Sequence, residues 1–109
     1  MIEIEALLDE AGILRECKAA GHARAGKTGS DIVCAAVSVL LRAAVQVLEG
    51  RKGITLRAVA PEPGLLGLQA DYTAEGKGFL SATGEFLITG LRSVADEFPK
   101  NCKLTIRRT

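Results

Sequence analysis

Asp31-Ile32-Val33-Cys34-Ala35-Ala36-Val37-Ser38-Val39-Leu40-Leu41-Arg42-Ala43-Ala44-Val45-Gln46-Val47-Leu48-Glu49-Gly50 is the stretch whose reading decides the fold. Apolar side chains at Ile32, Val33, Ala36, Val37, Leu40, Ala43, Ala44 and Val47 recur at helical spacing. Asp31 has the short side-chain oxygen that caps a first turn, and Gly50 suits a left-handed residue just past a last one. The spacing predicts a helix over 32–48. Its apolar surface is wider than one stripe, so it is expected to be central, covered on two sides or packed in a subunit interface.

Outward from this helix the period changes to two. Ile2, Ile4, Ala6 and Leu8 alternate with Glu3, Glu5 and Leu7, a strand with one buried face. Asp9-Glu10-Ala11-Gly12 is a turn, and Ile13 to Gly21 reads as a second strand. Beyond the helix, Gly53 to Val59 is a third strand, Pro61-Glu62-Pro63-Gly64 a break, and Leu65 to Tyr72 a fourth strand. Phe79 to Phe98 returns to helical spacing despite Gly84 and Gly90, each costing about 1 kcal/mol relative to Ala. Pro99 stops it, and Cys102 to Ile106 is a last strand before Arg107-Arg108. The order ββαββαβ implies an α+β fold, a two-layer sandwich of a mixed or antiparallel sheet with two helices. One domain over 1–109 is expected.

The composition agrees. Fourteen basic and 13 acidic side chains leave a net charge of +1, which argues against direct nucleic-acid binding or a polybasic membrane binder. Hydrophobic residues are 48% of the chain, but there are only three Phe, one Tyr and no Trp, so the core is aliphatic. No run approaches the ~18 apolar residues of a membrane span. The opening Met1-Ile2-Glu3-Ile4-Glu5 carries acids where a signal peptide carries bases. Cys17, Cys34 and Cys102 are odd in number and lack C-x-x-C spacing. Neither a disulfide framework nor a metal site is indicated, and reduced thiols in the cytoplasm are expected. No cofactor is called for.

Gly21-His22-Ala23-Arg24-Ala25-Gly26-Lys27-Thr28 fits the phosphate-loop pattern G-x-x-x-x-G-K-[ST]. Against nucleotide hydrolysis, Gly29-Ser30-Asp31 delays helix onset, no β-α-β crossover is evident, and no strand offers a magnesium-binding Asp. The stronger constellation is His22 with Cys34. His22, the only histidine, follows Gly21 at a strand end. With Asp31 as N-cap, Cys34 is the third helical residue, where the positive end of the helix favours a thiolate. An imidazole brought beside it can take the thiol proton, and first-turn N–H groups can donate to an oxyanion. A free Cys in an apolar helix is, however, also ordinary core packing.

Gly21-His22-Ala23, a short Gly-rich loop, and Asp31-Ile32-Val33-Cys34-Ala35-Ala36-Val37-Ser38 together resemble the signature of the bacterial ribosomal-processing cysteine protease family, Prp. The element order is similar over the whole chain. The resemblance implies a cysteine protease with Cys34 as nucleophile and His22 as base. It implies removal of a short N-terminal extension from a large-subunit ribosomal protein during ribosome maturation, and a homodimer. Cys17 departs from the family, whose members tend to carry a larger apolar or aromatic side chain there.

Supporting roles follow as expectations. Asp31 either caps the helix or orients His22. Ser38, at i+4 from Cys34 on one helix face, either donates to substrate or His22 or bonds its own backbone. The loop Ala23–Ser30 reads as a lid, with freedom from Gly26 and Gly29, bounded by Gly21 and Ser30. Its Arg24 and Lys27 either contact the peptide or are solvated. A non-catalytic domain that binds a ribosomal or other partner is the competing reading.

Overall fold

The computed structural model of the chain describes residues 1–21, 28–60 and 64–109, with the side chains of residues 28–31 left aside. Seven elements follow in order: β1 (Ile2–Leu8), β2 (Leu14–Ala20), α1 (Thr28–Leu48), β3 (Ile54–Val59), β4 (Leu65–Tyr72), α2 (Lys77–Glu97) and β5 (Cys102–Arg108). The strands form one sheet in the order β3-β4-β2-β1-β5. β2 is antiparallel to both β1 and β4, β3 is antiparallel to β4, and β5 runs parallel to β1. The fold is α+β with a mixed sheet, as the alternating and helical periods predict.

β2 and β3 are each antiparallel to β4 and so run parallel to one another. The connection through α1 therefore crosses over β4, a crossover the sequence did not reveal. By the same reasoning α2 carries the chain from β4 across β2 and β1 to β5. One face of the sheet is left to solvent, with Glu3, Lys18 and Lys103 exposed on it. The other face packs Ile4, Ala6, Cys17 and Leu68 beneath Val33, Val37 and Leu41 of α1 and Leu87 and Leu91 of α2. A smaller cluster of Ile13, Leu48, Ala70 and Leu80 closes the opposite end.

One expectation about α1 changes. The helix begins at Thr28, so Asp31 is its fourth residue and not its N-cap. Gly29 and the small polar Thr28 and Ser30 have modest helix propensity, which made them read as loop; they form the helix's first turn instead. α1 packs on the sheet with one side and against α2 with another, and its remaining face is open. Its buried residues Val33, Val37, Leu41, Ala44 and Leu48 make one stripe, while Ile32, Val39 and Val47 are exposed. On α2 the glycines that weaken the helix are where neighbours approach. A Cβ at Gly84 would lie 2.8 Å from the Leu14 Cβ of β2, and one at Gly90 would lie 3.0 Å from the Leu40 side chain of α1.

Candidate active site

The stripe that buries Val33 and Val37 sets the direction of Cys34. One residue round the helix from Val33, Cys34 is half-buried and borders a cleft, with Ser38 a turn further along the same wall. The cleft has a volume of about 530 Å³. It lies at the end of the sheet where β1 begins, β2 ends and β4 begins, and its walls are largely apolar: Ile2, Ala19, Val37, Leu65 and Leu66. Gly21 and Gly64 complete that rim.

Gly21 is fixed there by two observations. Its φ of +135° lies in the region that favours glycine, and a Cβ on it would fall 2.4 Å from the Met1 carbonyl oxygen. Its N–H donates to Gly64 O at 2.9 Å, tying the end of β2 to the start of β4. The residue that follows this anchor in the chain is His22.

The structure therefore brings Cys34, Ser38 and Gly21 to one cleft. His22, Ala23, Arg24, Gly26 and Lys27 lie outside the described residues. Gly29, Ser30 and Asp31 belong to the first turn of α1, which shortens the predicted Ala23–Ser30 loop. With the helix starting at Thr28, Cys34 is its seventh residue. The helix-end field fades within the first turn, so the dipole argument and the first-turn oxyanion donors do not carry over to Cys34. The same boundary removes the late helix onset from the case against a phosphate loop. What remains against it is the lack of a strand offering a magnesium-binding Asp, together with the antiparallel setting of both neighbours of β2.

The three thiols are free and differ sharply in setting. Cys17 points inward, as its neighbours Glu16 and Lys18 imply, and is fully buried. Burial, with a smaller contribution from the Glu16 charge, pushes its thiol up to about 12 from an ordinary 9.0. Cys102 is also buried and shifted upward by burial. Cys34 is the one cysteine outside the core and the one lining the cleft. Among the described residues there is no cluster of His, Cys, Asp and Glu that would hold a metal, and no helix is long and apolar enough to cross a membrane.

Much of the cleft was not foreseen from the sequence. Ile2, Ala60 and Gly64–Leu66 reach it because β4 lies beside β2, and no local spacing reports sheet order. The paired glycines Gly21 and Gly64, each preceding or following a strand, are the only sequence signal of that junction.

A thiol in a cleft at the end of a two-layer α+β sheet is an arrangement suited to a cysteine hydrolase, and the comparisons with known proteins give that class a family. The family model described as cysteine protease Prp matches residues 1–103. The chain belongs to the Prp family of cysteine proteases. Among solved structures it is similar to SMU.848 from Streptococcus mutans, at 27% identity and a TM-score of 0.81, covering 100% of this chain and 99% of that one. It is also similar in fold to a ribosomal processing protease Prp from S. aureus in complex with a substrate peptide, at 19% identity and a TM-score of 0.82 over 98% of this chain and 100% of that one. The S. aureus protease with a covalently linked product peptide gives 21% identity and a TM-score of 0.81, with coverage of 98% and 100%. No curated protein matches by sequence.

Proposed function

We propose that this protein is a single-domain endopeptidase over residues 1–109 that removes a short N-terminal extension from a large-subunit ribosomal protein during ribosome maturation. Cys34 is its nucleophile and His22 its base. The observation that carries the reading is that Cys34 alone of the three thiols borders a peptide-sized cleft, with Gly21, the residue before His22 in the sequence, on its rim.

The chemistry balances with these two groups. His22 takes the thiol proton as Sγ bonds to the scissile carbonyl carbon. The C–N bond breaks as His22 returns that proton to the leaving amine, the new N-terminus of the mature protein. Water then gives a proton to His22 and adds to the thioester carbon, and the extension leaves as a carboxylic acid while the thiol is regenerated. In this reading Ser38 holds the peptide at the wall beside Cys34, and Asp31 orients His22. The segment Ala23–Lys27 covers the bound peptide, with Arg24 and Lys27 as its contacts.

The active form in this proposal is a cytoplasmic homodimer. A groove of about 330 Å³ between α1 and α2 is lined by Leu40, Ala43, Val47, Phe79 and Phe86, and Phe86 beside it is 75% exposed. In this proposal the exposed Phe86 ring of each protomer packs about a two-fold axis into its partner's groove, where Ala43, Ala44 and Ala82 leave room. Exposed apolar area of this kind marks interaction surfaces.

The test is a peptide spanning the extension junction, with products read by mass spectrometry. Cleavage at a single bond is expected, lost in Cys34→Ser and reduced about 10²–10⁴-fold in His22→Ala. Cleavage undiminished in Cys34→Ser overturns the assignment.

A further inference from the structure

We propose that the free edge of β3 binds the peptide substrate as an added strand, with the segment that follows the scissile bond running antiparallel to β3 and away from the cleft. This rests on the reading of the Cys34 cleft as the place of cleavage. The sheet has two edges, β5 and β3, and they are treated differently. β5 carries Lys103, Arg107 and Arg108, the charges by which an edge resists pairing. β3 carries Arg57 alone, has no proline, and leaves Thr55, Arg57, Ala58 and Val59 exposed. Among the described residues no strand pairs with its outer side.

The ladder shows which groups are on offer. Thr73 N–H donates to Gly53 O at 2.8 Å. Alternation in an antiparallel pair then turns Thr55, Arg57 and Val59 toward β4, and the N–H and C=O groups of Leu56 and Ala58 outward. The Ile54 N–H is taken by Arg51 O at 3.1 Å, so Leu56 and Ala58 supply the outward donors. Strand addition to such an edge draws affinity from main-chain bonds and is a common way to hold an extended peptide.

Continuity with the cleft sets the occupant and its direction. β3 ends at Val59, and the next residue, Ala60, lines the cleft that holds Cys34. A peptide leaving that cleft along β3 in the N-to-C direction runs antiparallel to it, the slightly more stable pairing. The cleft floor is the ends of β2 and β4, about two and a half strand spacings, or ~12 Å, from an added strand. At ~3.3 Å per residue about four residues bridge that gap, so pairing begins about five residues past the scissile bond.

Two peptides test this, ending about four and about ten residues beyond that bond, together with Ala58→Pro. Because the Ala58 N–H faces outward, proline there removes an edge donor and leaves the β4 ladder intact. The longer peptide is expected to have a KM about five- to tenfold lower than the shorter, and Ala58→Pro to abolish the difference by raising KM for the longer alone. As a measurement that needs no variant on β3, Cys34→Ser saturated with the longer peptide is expected to slow amide exchange at Leu56 and Ala58 by at least about tenfold. Equal KM values for the two peptides, or unchanged exchange at those amides with the longer peptide bound, overturn the edge proposal while leaving the cleft reading intact. Failure to cleave either peptide, or equal cleavage by Cys34→Ser, overturns the cleft reading and this proposal with it.

Discussion

Alkylation by iodoacetamide at pH 7 separates the three thiols by their surroundings. Cys17 lies between Ala6 of β1 and Leu68 of β4 with no exposed surface, and its thiol is pushed up to about 12. Only the thiolate reacts, and a thiol pushed up to about 12 is almost wholly protonated at pH 7. Exclusion of the reagent lowers the rate further. Cys102, buried and shifted in the same direction, is also slow. Cys34, half-buried beside the cleft, is therefore expected to be modified far faster than Cys17. In His22→Ala the Cys34 rate at pH 6 is expected to fall. Timed alkylation with peptide mapping measures all three rates, and guanidinium chloride brings them together as a control. If Cys17 keeps pace with Cys34 in the native protein, the account of its burial is refuted. If His22→Ala leaves the pH 6 rate at Cys34 unchanged, the pairing is refuted. A sign for stability follows as well. A raised thiol pKa means the folded state holds the proton more tightly, so this contribution is complete below about pH 9 and is lost as pH climbs toward 12.

Three further outcomes test the frame around the site. Gly84→Ala brings a methyl to 2.8 Å from the Leu14 Cβ, and the overpacking of about 1–3 kcal/mol outweighs the helix-propensity gain of up to about 1 kcal/mol. Gly78→Ala meets nothing within 4 Å and is expected to be neutral or stabilising, so urea midpoints that move the same way in both variants contradict the packing account. Tyr72 donates to the Asp9 carboxylate and is the main cause of that group's lowered pKa. A lowered carboxyl pKa gives stability that is present above the unfolded value near 4 and lost as pH falls through the folded one. Tyr72→Phe should therefore flatten the acid limb of a stability-against-pH curve, and an unchanged limb would exclude Asp9 as its source. Phe86→Glu is expected to convert a dimer into a folded monomer by light scattering; a wild-type chain already monomeric at high concentration excludes that interface.

The parts of this fold that were legible are those written in local period and punctuation. β1 and β4 have the limits that the alternation and the Gly-Pro break give them, and Cys34 and Ser38 share a helix face because four residues make about one turn. The start of α1 was misread because Thr28-Gly29-Ser30 favours loop locally and the chain nonetheless forms helix there. Gly84 and Gly90 looked like defects on α2. Their purpose is visible only once Leu14 and Leu40 are placed against them. The wall made by Ile2, Ala60 and Leu65 depends on β4 pairing with β2, a contact between segments about fifty residues apart that no short motif encodes.

The most direct measurement is the intact mass of the enzyme during a single turnover of an extended ribosomal-protein peptide, quenched in acid. A thioester on Cys34, carrying the mass of the extension and appearing before the free acid, is the predicted result. Mature peptide released with no adduct at any time, or an adduct on Cys17 or Cys102, would contradict it.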